Sequence, residues 1–261
     1  MKINRNTVLA GHKVILVPYR KQHVPRYHEW MKDPLIQEQT ASEPLSLDEE
    51  YEMQRSWAND EDKLTFIILA HPDEEDGGSA DAYSVQDLVA KCKMVGDVNI
   101  FFNEGHDNDD DDDAEHDATA TKEKEQGSVF DAECEIMIAE HSYRRRGIAR
   151  EALQMMFSFV TTIPTPAATA PSTASDTNAV GSPTTPDATS HCTLPVPPSW
   201  LTCKISLTND PSIQLFESLG FTRQKVSEVW QEVEMRFTDT SQHRLGQFGE
   251  SIRRVLFWPD E

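Results

Sequence analysis

Two kinds of chemically useful side chain stand close together between Glu133 and Ala152. The stretch reads Glu-Cys-Glu-Ile-Met-Ile-Ala-Glu-His-Ser-Tyr-Arg-Arg-Arg-Gly-Ile-Ala-Arg-Glu-Ala. Glu133 and Glu135 are carboxylates two residues apart, able to take a proton from a reacting group. Arg144, Arg145 and Arg146 follow, then Gly147, Ile148 and Ala149. A basic triplet before two small residues suits a pyrophosphate, provided that those residues open a helix. The first amides of a helix have no intrahelical partner, and its dipole favours negative charge there. An ordinary helix start behind a solvated basic turn, or a short nuclear-import patch, has the same local pattern.

A strand, a tight turn and a helix are needed to place these groups. Cys134 to Ala139 is a short apolar run suited to a buried strand. Glu133, Glu135 and Met137 share one face of it by alternation. From Ile148 the apolar residues Ile148, Ala149, Ala152, Leu153, Met156 and Phe157 recur at helical spacing, to about Val160. A second stretch, Asn209-Asp-Pro-Ser212-Ile-Gln-Leu215-Phe216-Glu-Ser-Leu219-Gly220-Phe221, predicts a capped helix, a glycine stop and a new strand.

The spacing Arg144-x-x-Gly147-x-Ala149 resembles the acetyl-coenzyme A loop of the GNAT superfamily of N-acetyltransferases. Asn209, Ser212, Phe216 and the Gly220-Phe221 pair resemble the second half of that site. Leu-Val-Pro-Tyr19, His23-Val-Pro-Arg-Tyr-His-Glu-Trp30-Met, Thr40-Ala-Ser-Glu-Pro-Leu, Met94-Val-Gly-Asp-Val-Asn99 and Glu135-Ile-Met-Ile-Ala-Glu extend the likeness to the N-acetyltransferase 9-like group. They are also similar to bacterial enzymes that acetylate ribosomal-protein N-termini.

The resemblance implies an α/β (α+β) GNAT fold. Its central sheet is mixed but mostly antiparallel, flanked by helices, and splayed beside the strand that precedes the loop. The implied activity is acetyl transfer from acetyl-CoA to an amine by direct attack, without a metal. The resemblance assigns Met137, Ile138, Ala139, Arg144, Arg145, Arg146, Gly147, Ile148, Ala149, Asn209, Ser212 and Phe216 to the cofactor. Glu135 is the expected general base and Glu133 the second choice. Trp30, Trp57 and Asn99 are the expected acceptor-binding residues. Phe216 stands where many GNAT enzymes have a tyrosine that protonates the leaving thiolate, and it cannot do so. The acceptor implied is a protein α-amino group or a lysine; a small-molecule amine is the alternative. Microtubule association also follows from the resemblance. The rival class is a GNAT-fold interaction protein with little activity.

The rest of the chain bounds these readings. The net charge of −21 is concentrated: residues 105–127 carry net −8 and residues 71–90 net −6. The remainder is mildly acidic and offers no basic face for nucleic acid. No run is long enough for a membrane span, and no signal peptide is evident, so a reducing, cytoplasmic location, with access to the nucleus, is expected. Cys92, Cys134, Cys192 and Cys203 lack metal-ligand spacing. The run from His106 to Asp117 lacks the central glycine and terminal glutamate of a calcium loop, so it is expected to be a solvated charge block.

Strands are expected at Lys13–Pro18, Leu64–Ala70, Met94–Phe102, Trp200–Ser206, Phe221–Val226 and Val229–Phe237. Helices are expected at Val24–Met31 and between Pro44 and Trp57. Gly96 is expected to mark a bulge or a close backbone approach. One domain over 1–238 is expected, with disordered insertions at 71–90, 104–128 and 161–199, the last holding eight of the fifteen prolines. Residues 239–261 are expected to be a tail with a short helix.

Overall fold

Strands β1 (Thr7–Ala10) and β2 (Val14–Pro18) form an antiparallel pair, which β3 (Lys63–Ala70), β4 (Lys93–Glu104) and β5 (Phe130–Ile138) extend in antiparallel succession. β6 (Leu201–Ser206) runs parallel to β5, and β8 (Glu232–Phe237) pairs antiparallel with both β6 and β7 (Phe221–Ser227). β9 (Arg254–Phe257) adds to β1, giving the order β7-β8-β6-β5-β4-β3-β2-β1-β9. The structure, a computed structural model, describes residues 1–72, 84–104, 130–162 and 193–259.

Helices cover both faces of this sheet. On one lie α1 (Val24–Trp30), α2 (Pro34–Gln39), α3 (Leu47–Asn59) and α4 (Val85–Lys91). On the other lie α5 (Ile148–Thr162), α6 (Asp210–Ser218) and α7 (Gln242–Glu250). Side chains alternate between the two cores: Val14, Leu16, Phe66 and Ile68 face α5, while Ile15, Val17, Ile67 and Leu69 face α1 and α3. Coverage of both faces explains why β2 and β3 read as unbroken apolar runs. β4 and β5 depart from this rule. Toward α1 and α3 they present Asp97, Asn99, Glu133 and Glu135, so the polar residues mark where the sheet does something other than pack.

Gly96 sits at a register shift: Ile68 faces Gly96 but Leu69 faces Met94, so Val95 is an extra residue in β4. A Cβ on Gly96 would lie 1.9 Å from the Met137 carbonyl oxygen. Both expectations for this glycine are met. Because the obstructing atom is backbone, Gly96→Ala must push β4 from β5. It is expected to cost at least about 1–3 kcal/mol, seen as a lower urea midpoint; an unchanged midpoint would refute the close approach.

Several boundaries differ from those read in the sequence. Residues 84–90 are not part of an irregular insertion: Ser84 caps α4, and Leu88 is buried in the α1-side core. At the end of the 161–199 segment, Leu194 and Val196 are buried, and the Val196 amide donates to the Val160 carbonyl at 2.8 Å. The segment after 238 is integral to the fold rather than appended to it. Phe248 of α7 packs between Phe157 and Phe237, and β9 forms the sheet edge. α2 and β1 were missed; Asp33 caps α2 through the Leu35 amide, and Pro34 opens it. Val229 and Trp230 lie in the β7–β8 turn, exposed, instead of opening β8. The acidic run from His106 to Asp117 lies outside the described residues.

Candidate active site beside a splayed strand

β5 and β6 pair only at Ala132–Leu201 and Glu133–Thr202. Beyond those positions the strands part, and Cys134 to Ile138 have no β6 partner. An exposed strand edge can accept an added extended segment through backbone hydrogen bonds.

The loop after β5 closes one end of the gap. A 3-10 turn at His141–Tyr143 leads to Arg144, and Arg145 and Gly147 both take left-handed backbone, with φ 62° and 80°. The Glu151 amide donates to the Gly147 carbonyl at 3.2 Å, so the preceding amides at the start of α5 have no partner within the helix. Arg145, Arg146 and Gly147 are exposed. Lys13 crosses from β1–β2: its Nζ donates to the Arg146 carbonyl at 3.0 Å, and a Cβ on Gly147 would sit 2.8 Å from that nitrogen. Glu151 fixes the same turn by accepting the His12 and Lys13 amides. The result is an open helix N-terminus ringed by cations, which suits a diphosphate.

Arg144 and Trp30 also tie the loop to its neighbours. Arg144 Nε donates to the Ile138 carbonyl at 2.8 Å, so this carbonyl already has a donor inside the protein. Glu140 accepts from Trp30 Nε1 at 2.9 Å and from Arg26, and pairs with Lys93 at 3.3 Å. Burial would raise the Glu140 pKa, but these bonds outweigh it and hold the carboxyl below its ordinary value. The Glu140 clamp fastens α1 to the loop.

On the α1 face, Thr65, Asn99 and Glu135 stand opposite one another across β3, β4 and β5. Asn99 Nδ2 donates to Asp97 Oδ2 at 2.9 Å. Burial pushes Asp97 up to about 6, against the lowering effect of its bonds from Asn99 and Tyr27. Glu135 is exposed at the edge of the gap, with Glu133 and Asp97 close enough to act on its carboxyl. Burial first, then the charges of Glu133 and Asp97, push it up to about 7. Glu133 pairs with Lys204 at 3.0 Å.

A family model described as Acetyltransferase (GNAT) domain matches residues 13–222. The chain belongs to the GNAT acetyltransferase family. It is 39% identical over 237 residues to an N-acetyltransferase 9-like protein of Nematostella vectensis, covering 91% of this chain and 88% of that one. It is 36% identical over 247 residues to alpha/beta-tubulin-N-acetyltransferase 9 of Homo sapiens, covering 94% and 89%. Among solved structures, spermidine N-acetyltransferase from Vibrio cholerae in complex with CoA and spermine shares the fold, with TM-score 0.50, 13% identity and coverage of 86% and 94%. The chain is therefore an acetyl-CoA-dependent N-acetyltransferase.

The GNAT assignment fits the cradle and sorts the expected residues. Arg145, Arg146, Gly147 and the backbone of Ile148 and Ala149 line the open helix start; the Ile148 side chain itself is buried. Met137 and Ile138 are half-buried on the free edge, whereas the Ala139 side chain belongs to the α1 core. Across the gap, Asn209 Oδ1 caps α6 by accepting the Ser212 amide at 3.3 Å. Two expectations need correction. Phe216 is only 2% exposed, packed edge-on against Phe221 at 5.1 Å, so its ring belongs to the core behind the gap. Trp30 is buried in the Glu140 clamp instead of lining an acceptor surface. Trp57 is half-buried against Phe101, with the Lys63 ammonium over its ring. Lys13 and Asp97 escaped sequence reasoning. Only the register across β1–β5 and the β1–β2 turn beneath α5 bring them to the site. Among the described residues, no group of three or more His, Cys, Asp or Glu side chains is placed to hold a metal.

Proposed function

We propose that this chain acetylates a protein α-amino group, with tubulin as the first acceptor to test, by direct attack in a ternary complex. The observation that carries the reading is the placing of Glu135 on the unpaired strand edge, with the cradle at the end of the same strand and Asn99 beside it. Bound acetyl-CoA supplies an acetyl thioester whose thiolate is a good leaving group. The cradle residues and Lys13 hold the phosphates. The free edge at Met137 and Ile138 holds the arm, with a backbone amide there polarising the thioester carbonyl, and Asn209 faces it from α6. Glu135 takes the proton from the acceptor ammonium. The amine lone pair then forms the C–N bond while the C–S bond breaks and its electron pair leaves on sulfur. A second proton is lost from the nitrogen to solvent.

Direct transfer also agrees with the cysteines. Burial pushes the Cys134 and Cys203 thiols up, and Cys92 up to about 11, so none of these three is a poised nucleophile. Tubulin is proposed because relatives from Homo sapiens and Mus musculus, each 36% identical over 94% of this chain, carry alpha/beta-tubulin-N-acetyltransferase in their names. That acceptor agrees with the cytoplasmic location expected from the sequence. The test is purified tubulin incubated with enzyme and isotopically labelled acetyl-CoA, followed by mass spectrometry of its peptides. Label on an N-terminal amine is the expected result. Label on lysine alone would move the acceptor to the side chain. No label on tubulin would remove it as the acceptor.

A further inference from the structure

A polar row crosses the α1 face at the level of Glu135, and its loose ends are of one chemical kind. Thr65, Asn99 and Asp97 are 0%, 5% and 2% exposed. Asp97 Oδ2 takes the Asn99 NH2 group at 2.9 Å, and the Tyr27 hydroxyl reaches the same oxygen at 3.5 Å. Asp97 Oδ1, Asn99 Oδ1, Thr65 Oγ1 and the Tyr19 hydroxyl oxygen have no partner within the protein. Two of these four are pure acceptors and the others are hydroxyls that can accept. A buried acceptor without a donor is costly, so groups of this kind are normally matched. A donor with several N–H groups entering from the gap would suit acceptors of this kind. The nearby cations are engaged elsewhere: Lys204 pairs with Glu133, and Lys63 reaches Asp60 at 4.0 Å.

Asp97 also decides which way the Asn99 amide points. A carboxylate accepts only from the NH2 end, so the bond at 2.9 Å leaves the Asn99 carbonyl as the free end. Its cross-strand neighbour is Glu135, and directly opposed side chains lie about 4.5–5.5 Å apart at Cβ. By that register the buried Asn99 carbonyl lies just inside the exposed Glu135 carboxyl, on the same face. We propose that the Asn99 carbonyl and the Glu135 carboxylate together receive the primary ammonium of the acceptor, and that buried Asp97 is the positioning residue that locks Asn99 in its accepting orientation. One ammonium proton passes to Glu135 while a second N–H stays on Asn99, so the nitrogen is held in place through deprotonation. The acetylated product keeps one N–H and no charge, and it loses this hold. The proposal rests on the acetyl-transfer reading and specifies its amine subsite.

The test separates the two. A peptide copying the β-tubulin N-terminus, with its amine free or acetylated, is titrated into the CoA-bound protein by calorimetry, where no turnover occurs. Wild type is expected to prefer the free amine. Asp97→Asn places an amide where the new NH2 group can consume the Asn99 carbonyl, and it is expected to weaken the free peptide about tenfold or more. Affinity for the acetylated peptide and the thermal shift with acetyl-CoA should not move. Asn99→Leu, of similar size, is expected to do the same, and gives a second reading should Asp97→Asn fold poorly. The exchange Asp97→Asn with Asn99→Asp again points an oxygen at Glu135, and should restore affinity to within about threefold, where a general loss of packing would not be rescued in the free amine alone. Equal or absent binding of the two peptides by wild type overturns the proposal. So does an Asn99→Leu defect without an Asp97→Asn defect. Preferred binding of the free amine, with no thiol release when acetyl-CoA replaces CoA, would instead count against the acetyl-transfer reading.

Discussion

Gly147→Glu is expected to abolish acetyl-CoA binding while the fold survives. Gly147 holds φ 80°, where an L side chain costs about 1–2 kcal/mol. Its Cβ would meet Lys13 Nζ at 2.8 Å, the far end of a flexible side chain that can move away. The fold therefore tolerates the change at modest cost. The ligand site does not, because a carboxylate then stands among the cations and open amides meant for a diphosphate. Acetyl-CoA at a hundred times its dissociation constant should stabilise wild type by about 2.7 kcal/mol, and the variant should show no shift. kcat/KM should fall by at least about a hundredfold, the scale set by small misplacements of a bound reactant. Gly147→Ala provides the contrast, since it carries the backbone strain without the charge and should keep part of the shift. An equal thermal shift in Gly147→Glu and wild type would move the cofactor away from this loop.

How much of this was legible in the sequence depends on the range of the signal. The cradle was legible because strand, basic turn and helix start are contiguous, and the capped α6 helix was legible for the same reason. Gly96 was legible in kind, since a glycine inside a strand points to a bulge or a close approach. The Thr65–Asn99–Glu135 row was not, because it needs the register of three strands, and the extra residue at Val95 makes that register unpredictable from alternation. Alternation puts Asp97 and Asn99 on one face, but the bond between them is a tertiary fact that alternation does not give. Lys13 reaches the loop only because Glu151 pulls the β1–β2 turn beneath α5. β9 eluded the reading because it is only four residues long and its apolar Val255 and Phe257 face solvent, so its pairing with β1 follows from the sheet edge and not from a buried face. Trp30 and Phe216 show the reverse error. A position that matches a family motif fixes a place in the chain, but which way a large ring points is settled by what packs on it: Glu140 in one case, Phe221 in the other.

Glu135→Gln should lower kcat by about 10²–10⁴, the usual range for a lost general base, with the acetyl-CoA thermal shift unchanged. The pH profile distinguishes a base from a binding carboxylate. Burial, then Glu133 and Asp97, push Glu135 up to about 7, and the base works only when ionised. Wild-type activity should therefore rise with pH through about 7, and the variant should lack that limb. Stability must run the other way. A carboxyl raised in the folded state favours its protonated form there, so its contribution is present below the ordinary carboxylate value and is lost as pH rises through about 7. Wild type should lose stability relative to Glu135→Gln between about pH 5 and 8, so the variant gains on the wild type in melting temperature as its activity is lost. Solvent contact of Glu135 keeps that gain small. Glu133→Gln separates the two carboxylates. It frees Lys204 from its pair and removes the nearest charge raising Glu135, so the activity limb should shift to lower pH while kcat at its plateau stays within about threefold of wild type. A plateau loss as large as that of Glu135→Gln would transfer the base role to Glu133. An unmoved limb in both variants would mean that neither carboxylate sets it, leaving the acceptor amine itself as the group that titrates.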